Sequence, residues 1–448
     1  MLFTLGLLAV YRVGKYIPLP GIDASALQEW FAANAGGVFG MVDVFTGGNF
    51  SQMTIFGLGI MPYISASIIL QLLAVVWPYL ERLQKEGEVG RRKITQYTRY
   101  GTVILSALQS FGIAFWVSNL PAASTGPIVP DPGPLFYLMT ALTLTTGCAF
   151  VMWLGEQITE RGIGNGISLI IFAGIVAGLF PAAIGMIQEM LRGERNLFQV
   201  ALLLVVMLAV VAAVVFVERA QRRIPIQYAS RVRGRRVMRG TATFLPLKVN
   251  TGGVIPVIFA SSLLALPNAL IEYLYSAFPN EVLGFLSRQL RYNMPLWDLL
   301  YVALILFFCF FYTSIIFNPL DTAENMKRVG GFIPGVRPGK KTAEYIDRVL
   351  TRLTFAGAIY LSAVSLLPIF LISGFPLHML EPAAVGHFFN EYVPRFILDG
   401  LGLQFYFGGT SLLIVVGVGM DTVQQIESQL VMRHYDGFLK KTRIRGRR

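Results

Sequence analysis

The side chains that usually carry chemistry are few in this chain and badly spaced for it. His378, His387 and His434 are the only histidines; two lie in one connection and the third near the C-terminus, with no metal-ligand spacing and no cysteine pair beside them. Cys148 and Cys309 fall inside separate apolar runs and read as small core residues. No G-x-x-x-x-G-K-[ST] phosphate loop occurs, so ATP-driven work has to come from a partner. The nearest glycine cluster, Gly162-Ile-Gly164-Asn-Gly166, lacks dinucleotide-loop spacing and reads as a tight turn between two helices. Paired aspartates or a Ser/His couple at membrane depth are not evident, which counts against an intramembrane protease. Nothing in the residue pattern asks for a cofactor or a metal.

Two kinds of feature remain. Ile60 and Ile64 are four residues apart, as are Ile167 and Ile171, so each pair shares a helix face. Such faces usually meet lipid. The other reading is an aliphatic constriction, suited to a pore that seals around varied polymers without binding them strongly. Spacing leaves both open. The second feature is basic: residues 218 to 252 and 321 to 352 mix Lys and Arg with aromatic, Pro and Gly residues. They either fix orientation and meet anionic headgroups, or they dock a cytosolic partner with an acidic or phosphate-bearing surface, such as ribosomal RNA.

The elements that must position these residues follow from composition. Of 448 residues, 54% are apolar or aromatic, 14% are charged and the mean hydropathy is +0.61. A water-soluble domain carries about 25% charged residues, so the soluble classes are excluded, as are disordered chains and disulfide scaffolds. A bilayer core about 30 Å thick needs roughly 20 apolar helical residues. Ten such runs occur, near 1–19, 54–78, 100–120, 134–155, 165–187, 197–217, 253–276, 298–317, 349–372 and 403–428. Ionisable exceptions lie towards run ends: Arg12 and Lys15 in the first, Glu272 in the seventh, Asp421 in the last. The first run lacks the basic start and small-residue cleavage site of a signal peptide.

Thirty of the 37 Lys and Arg fall in connections on one side and five on the other. The positive-inside rule puts both termini and the large basic loops in the cytoplasm. Five runs per half place the halves in opposite orientation if they are related. A relation is visible: Gly59-Ile-Met-Pro62-Tyr-Ile64-Ser-Ala66-Ser67 matches Gly253-Val-Ile-Pro256-Val-Ile258-Phe-Ala260-Ser261 at five of nine positions, either by chance or by inverted repetition. The shared proline is expected to remove a helix hydrogen bond. Residues 36 to 48, GGVFGMVDVFTGG, are too short to span and read as a movable re-entrant piece or an amphipathic surface helix. A secondary transporter of a small solute is the rival to a pore; the scarcity of ionisable groups near the midplane counts against it.

Several long stretches carry a resemblance: IFGLGIMPYISASIILQLL at 55–73, EGEVGRRKITQYTRYGT at 86–102, MWLGEQITERGIGNGIS at 152–168, LPLKVNTGGVIPVIFASS at 245–262, FNPLDTAENMKRVGGFIPGVRPGKKT at 317–342 and YFGGTSLLIVVGVGMD at 406–421. Over nearly its whole length the chain closely resembles the SecY family, the central subunit of the bacterial protein-translocation channel. The resemblance implies an all-α polytopic protein of the bacterial cytoplasmic (inner) membrane, with ten transmembrane helices in two pseudo-symmetric inverted five-helix halves. These would be residues 1–190 and 191–428, hinged near 188–196, with a basic tail at 429–448. It implies a protein-conducting channel, not an enzyme, that passes unfolded signal-bearing preproteins and releases apolar segments sideways into lipid. A lateral gate is implied at 55–76 and 254–275, with Pro62, Ser67, Pro256 and Ser261. A re-entrant plug is implied at 37–48, with Val38, Phe39, Met41, Val42, Val44 and Phe45. The pore ring falls on Ile60, Ile64, Ile167, Ile171, Ile258 and Ile414. Ile167 lies shallow for such a ring, so its span either begins earlier or lines a deep funnel. Docking is expected at Arg235, Arg236 and Arg337, the last set in Gly-Val-Arg-Pro-Gly, where Gly and Pro restrict the loop and present the guanidinium. Implied partners are the SecE and SecG subunits, the SecA motor ATPase, the ribosome with its rRNA, the receptor FtsY, and YidC and SecDF, besides membrane lipids, anionic ones included. One departure is that Met1-Leu-Phe opens the first run without the basic segment the family usually places there.

Overall fold

The computed structural model of the chain describes residues 1–33, 43, 46–121, 126–193, 197–228, 231–233, 236–238, 242–278, 280–290, 294–374 and 409–441. Each of the ten expected runs coincides with a helix. The first helices are α1 (Leu2–Val13), α2 (Ala24–Ala33), α3 (Met61–Val76), α4 (Pro78–Lys85), α5 (Glu88–Ser118), α6 (Pro134–Arg161) and α7 (Gly166–Leu191). After them come α8 (Leu197–Arg219), α9 (Ile255–Ala277), α10 (Glu281–Gln289), α11 (Pro295–Ile316), α12 (Pro319–Val329), α13 (Lys340–Ser373) and α14 (Gly409–Lys441). Among the described residues six helices, α5, α6, α7, α8, α11 and α13, are each long and apolar enough to cross a bilayer, and α3 with α4 forms a pair bent by 99°.

Boundaries depart from the expected runs for identifiable reasons. α1 stops at Val13, about 18 Å from its start at 1.5 Å per residue, because Gly14 opens a 3-10 turn. The ring of Phe56 lies where a Gly14 Cβ would stand. α3 begins at Met61 and not at 54, since Gly57 and Gly59 hold residues 54–60 in turns. In the other direction α5, α13 and α14 run past the apolar stretches into Lys- and Arg-containing sequence. Charge keeps such residues out of lipid but not out of a helix, for which Lys, Arg and Glu are good formers.

By contacts the chain forms two compact units. One comprises Met1–Arg195, Ser262–Tyr292 and Ile414–Arg448, the other Asn196–Ser261 and Asn293–Leu413. In the first, α5 packs on α6 through a stripe of small buried residues, Thr98, Thr102, Ser106, Ser110 and Ala114, each four apart. Small side chains let helix backbones approach where lipid supplies no hydrophobic drive, and the Thr102 and Ser110 hydroxyls bond back to the carbonyls of Thr98 and Ser106, so no polar atom is stranded. Gly147 of α6 has a similar role: a Cβ there would lie 1.9 Å from the carbonyl oxygen of Ile55. Cys148 and Cys309 are both buried. Outside the spans, Asp23 caps α2 by accepting from the Ser25 and Ala26 amides and the Ser25 hydroxyl. Those bonds hold its carboxyl below the usual range.

The second unit adds a small sheet to the all-helical plan. β1 (Gln221–Tyr228), β2 (Arg231–Arg233), β3 (Arg236–Met238), β4 (Ala242–Lys248) and β5 (Gly331–Phe332) form an antiparallel β4-β1-β5 sheet and a separate β2-β3 ribbon. β1 pairs with β4 from Gln221↔Lys248 to Gln227↔Ala242 and with β5 at Gln227↔Phe332. The two basic stretches therefore meet in one sheet: alternate residues Ile224 and Ile226 of β1 bury against Met326 of α12, Ile333 just after β5, and Ile346 of α13, the period-2 pattern of a half-buried strand.

Candidate functional site

The repeated nonapeptide is a repeat of backbone geometry as well as of residues. Gly59 has φ +54° and Gly253 φ +59°, a left-handed turn that glycine makes without steric cost. Two residues later a helix starts, so Pro62 is the second residue of α3 and Pro256 the second of α9. There the amide has no intrahelical acceptor. The expectation that these prolines remove a helix bond is thus corrected: they start their helices. One step on, the Ile64 amide donates to Ile60 O at 3.1 Å and the Ile258 amide to Val254 O at 3.2 Å. Ile64 and Ile258 occupy the same position of the same motif.

In the first unit Ile60, Ile64, Ile171 and Ile414 are buried and Ile167 is half-buried. The structure brings Ile60 and Ile167 to the same spot: a Cβ on Gly155 of α6 would meet Ile167 Cγ1 at 3.4 Å and Ile60 Cδ1 at 3.6 Å. α7 starts at Gly166, so of the two explanations for a shallow Ile167, an earlier span start is excluded. The glycine cluster forms the expected turn between α6 and α7. Gly164 takes φ +90°, Asn165 caps α7 by accepting from the Ile167 and Ser168 amides, and Gly166 sits directly on Gly155 O. In the second unit Ile258 is buried, beside Phe259, which meets the Phe308 ring edge-on at 5.7 Å.

Of the expected gate residues, Pro62, Pro256 and Ser261 are buried and Ser67 is half-buried. The Ser67 hydroxyl accepts from Gln71 Nε2 at 3.0 Å, and that of Ser261 donates to Ile258 O in its own helix. The hydroxyl that reaches α3 belongs to the next residue: Ser262 Oγ donates to Met61 Sδ at 3.8 Å. Spacing gave no sign of this pair.

Val38, Phe39, Met41, Val42, Val44 and Phe45 lie outside the described residues, but the root of their segment is described. Tyr11 Oη donates to Thr46 O at 3.0 Å, as does Asn49 Nδ2 at 2.7 Å. Arg12 and Lys15 both donate to Gly47 O, at 3.2 and 3.3 Å, so the two charges in the first run have a defined task. Gly47 faces Gly174 of α7, with no room for a Cβ between them.

Among the docking residues Arg235 is outside the described residues and Arg236 opens β3. Arg337 is exposed. Its turn is held by Gly335 and Gly339, with φ +82° and +101°, by the Val336 amide on Ile333 O, and by the Thr342 hydroxyl donating to Arg337 O at 2.9 Å.

Apolar spans, glycine-led helices bearing buried isoleucines, and a basic sheet define a polytopic membrane protein of the channel class. Solved structures share the fold. The chain resembles one described as "The structure of a protein conducting channel", with TM-score 0.65, 18% identity and coverage of 96% of this chain and 92% of that one. It also resembles Sec61 in the canine ribosome-channel complex from the endoplasmic reticulum, with TM-score 0.62 and 17% identity over 96% and 92%. The sequence model of the SecY family matches residues 54–423. The protein translocase subunit SecY of Escherichia coli (strain K12) is 48% identical over 446 residues, covering all of this chain and 94% of that relative. Its namesake from Vibrio cholerae is 47% identical over 450, with the same coverage. The chain belongs to the SecY family.

Proposed function

We propose that this chain is the protein-conducting subunit of a bacterial Sec translocase. Unfolded preproteins pass through a ring of Ile60, Ile64, Ile167, Ile171, Ile258 and Ile414, and sufficiently apolar segments leave between 55–76 and 254–275. The observation that carries this reading is the paired glycine-proline lead-in, which gives Ile64 and Ile258 equivalent positions in a chain of this family. Aliphatic side chains seal by excluding water and bind no substrate strongly. Sideways release is partition: on the insertion scale a central Leu or Phe gains a few tenths of a kcal/mol, whereas a charge costs about 2.5 to 3.5. No bond is made or broken in the channel, and the driving force comes from a partner ATPase or the ribosome. Residues 37–48 serve as the plug, the halves 1–190 and 191–428 open about 188–196, and both termini face the cytoplasm of a bacterial inner membrane. SecE, SecG, SecA, FtsY, YidC and SecDF are the partners implied. Ribosome-bound neighbours such as Sec61 support docking at Arg235, Arg236 and Arg337.

The test is reconstitution in vesicles with the motor and the small subunits, followed by protease protection of a signal-bearing preprotein. Protection supports the channel; accumulation of a small solute with preprotein left exposed would give the site to the transporter reading. Arg337→Glu is expected to depress motor-driven protection severely while the variant still inserts and folds, because the exposed guanidinium supports no internal packing. A lowered melting midpoint in place of lost transport would make Arg337 a structural residue.

A further inference from the structure

Asn250 is polar and 95% buried, with 5% of its surface exposed, and it uses both amide hydrogens. Nδ2 donates to Glu218 Oε1 at 2.7 Å and to Gly253 O at 3.0 Å. The pore mechanism above uses neither Asn250 nor Glu218. Glu218 stands in the last turn of α8, and Asn250 follows β4 by two residues. Between them the Val249 amide donates to Ala220 O at 3.1 Å, and from there β1 and β4 leave as a paired hairpin. The bond therefore closes the base of that hairpin. On its other side Asn250 leads through Gly253 into α9, whose first turn carries Pro256 and Ile258. The turn is confined: a Cβ on Gly357 of α13 would lie 2.7 Å from Val249 O, and one on Gly252 would lie 2.9 Å from Pro256 Cγ.

We propose that Asn250 and Glu218 form a clamp that fixes the lead-in turn of α9 and so sets the resting position of Ile258. Both are positioning residues, and the functional half of this inference rests on the reading of Ile258 as part of the pore. A side-chain amide held between a carboxylate and a carbonyl is a charge-assisted arrangement, stronger than a neutral pair. Removing the carboxylate takes an acceptor from the buried Asn250 amide. Because the same bond closes the hairpin, the arm that carries the docking residues and the helix that carries Ile258 share one fixed point.

Asn250→Asp tests the clamp, since it sets a third acceptor against Glu218 Oε1 and Gly253 O. Glu218→Gln in the same chain supplies a donor to the new carboxylate and should repair the contact with residue 218, leaving Gly253 O opposed. The measurement is hydrogen exchange of the amides of 251–258 in the full chain in lipid vesicles, together with resting ion conductance of the same vesicles. In Asn250→Asp protection is expected to fall about tenfold or more, as for a buried amide deprived of a charge-assisted bond, and conductance to rise; the double variant should restore part of each. Unchanged protection at 251–258, or a loss that Glu218→Gln relieves in no part, overturns the clamp whatever the conductance does. Lost and partly repaired protection with unchanged conductance upholds the clamp and removes Ile258 from the pore. If Asn250→Asp does not accumulate, Glu218→Ala, which changes the less buried partner, is expected to give the same local loss, and normal protection there overturns the proposal equally.

Discussion

Replacing Ile64 and Ile258 together by glycine is expected to raise the resting ion conductance of the reconstituted channel by about tenfold or more, since each 1.4 kcal/mol removed from a barrier is a factor of ten. Both side chains are buried with 4% of their surface exposed, and both follow the same left-handed glycine by five residues. An aliphatic constriction excludes ions by staying dry. Glycine at the two positions removes eight side-chain carbons and leaves a space that water can enter. The exchange also costs stability, about 2 to 5 kcal/mol per site for loss of a buried Ile side chain and about 1 more for glycine inside a helix. The controls are therefore the single variants and one substitution of equal volume, Ile64→Leu, which should stay tight. Unchanged conductance in the double variant, with the protein folded and inserted, would remove both residues from the seal.

Gly166→Ala is expected to be among the most damaging single changes to stability, although it adds one carbon. The new Cβ would lie 1.9 Å from Gly155 O and 2.8 Å from Ile158 Cβ. Gly155 O belongs to the backbone of α6 and cannot swing aside as a side-chain end can. Overpacking of this kind costs about 1 to 3 kcal/mol and sometimes more, and a carbonyl obstacle belongs at the upper end. Gly178→Ala in the same helix is the matched control, because nothing lies within 4 Å of its added carbon and alanine favours the helix. Thermal melting of the purified protein should separate the two, with Gly166→Ala lowered by several degrees and Gly178→Ala equal to or above the parent. Equal midpoints would mean that α6 and α7 are not seated as described. Displacing Gly166 also shifts Ile167, so resting conductance is expected to change in step with the midpoint.

Ten runs read from hydropathy each became a helix, and the glycine cluster at 162–166 became the turn that its composition indicated. Both are local matters. Residues about 20 long and apolar must satisfy their backbone groups internally in lipid, and a glycine with φ above zero marks a turn wherever it occurs. The same locality explains the misplaced start of α3. Hydropathy saw residues 54–60 as apolar and continuous with the span, whereas Gly57, Gly59 and the second-position Pro62 decide where helix begins. The aliphatic pairs were visible by spacing, but spacing did not distinguish a face towards lipid from one towards a pore; the family resemblance supplied that choice.

Residue order and residue type thus sufficed for the helical runs, the basic asymmetry along the chain and the repeated Gly-x-x-Pro lead-in, because lipid and backbone sterics act on each segment separately. They did not suffice for the contacts that hold the site. Tyr11 on Thr46 O, Glu218 on Asn250 and Met61 on Ser262 join residues 35, 32 and 201 positions apart, and β5 brings one distant basic stretch onto the β1-β4 pair of the other. Each such contact depends on which polar group is left buried without a neighbour once the helices have packed. That is settled by the packed chain as a whole, so Arg12 and Lys15 read as stray charges along the sequence and as the grip on Gly47 in the fold.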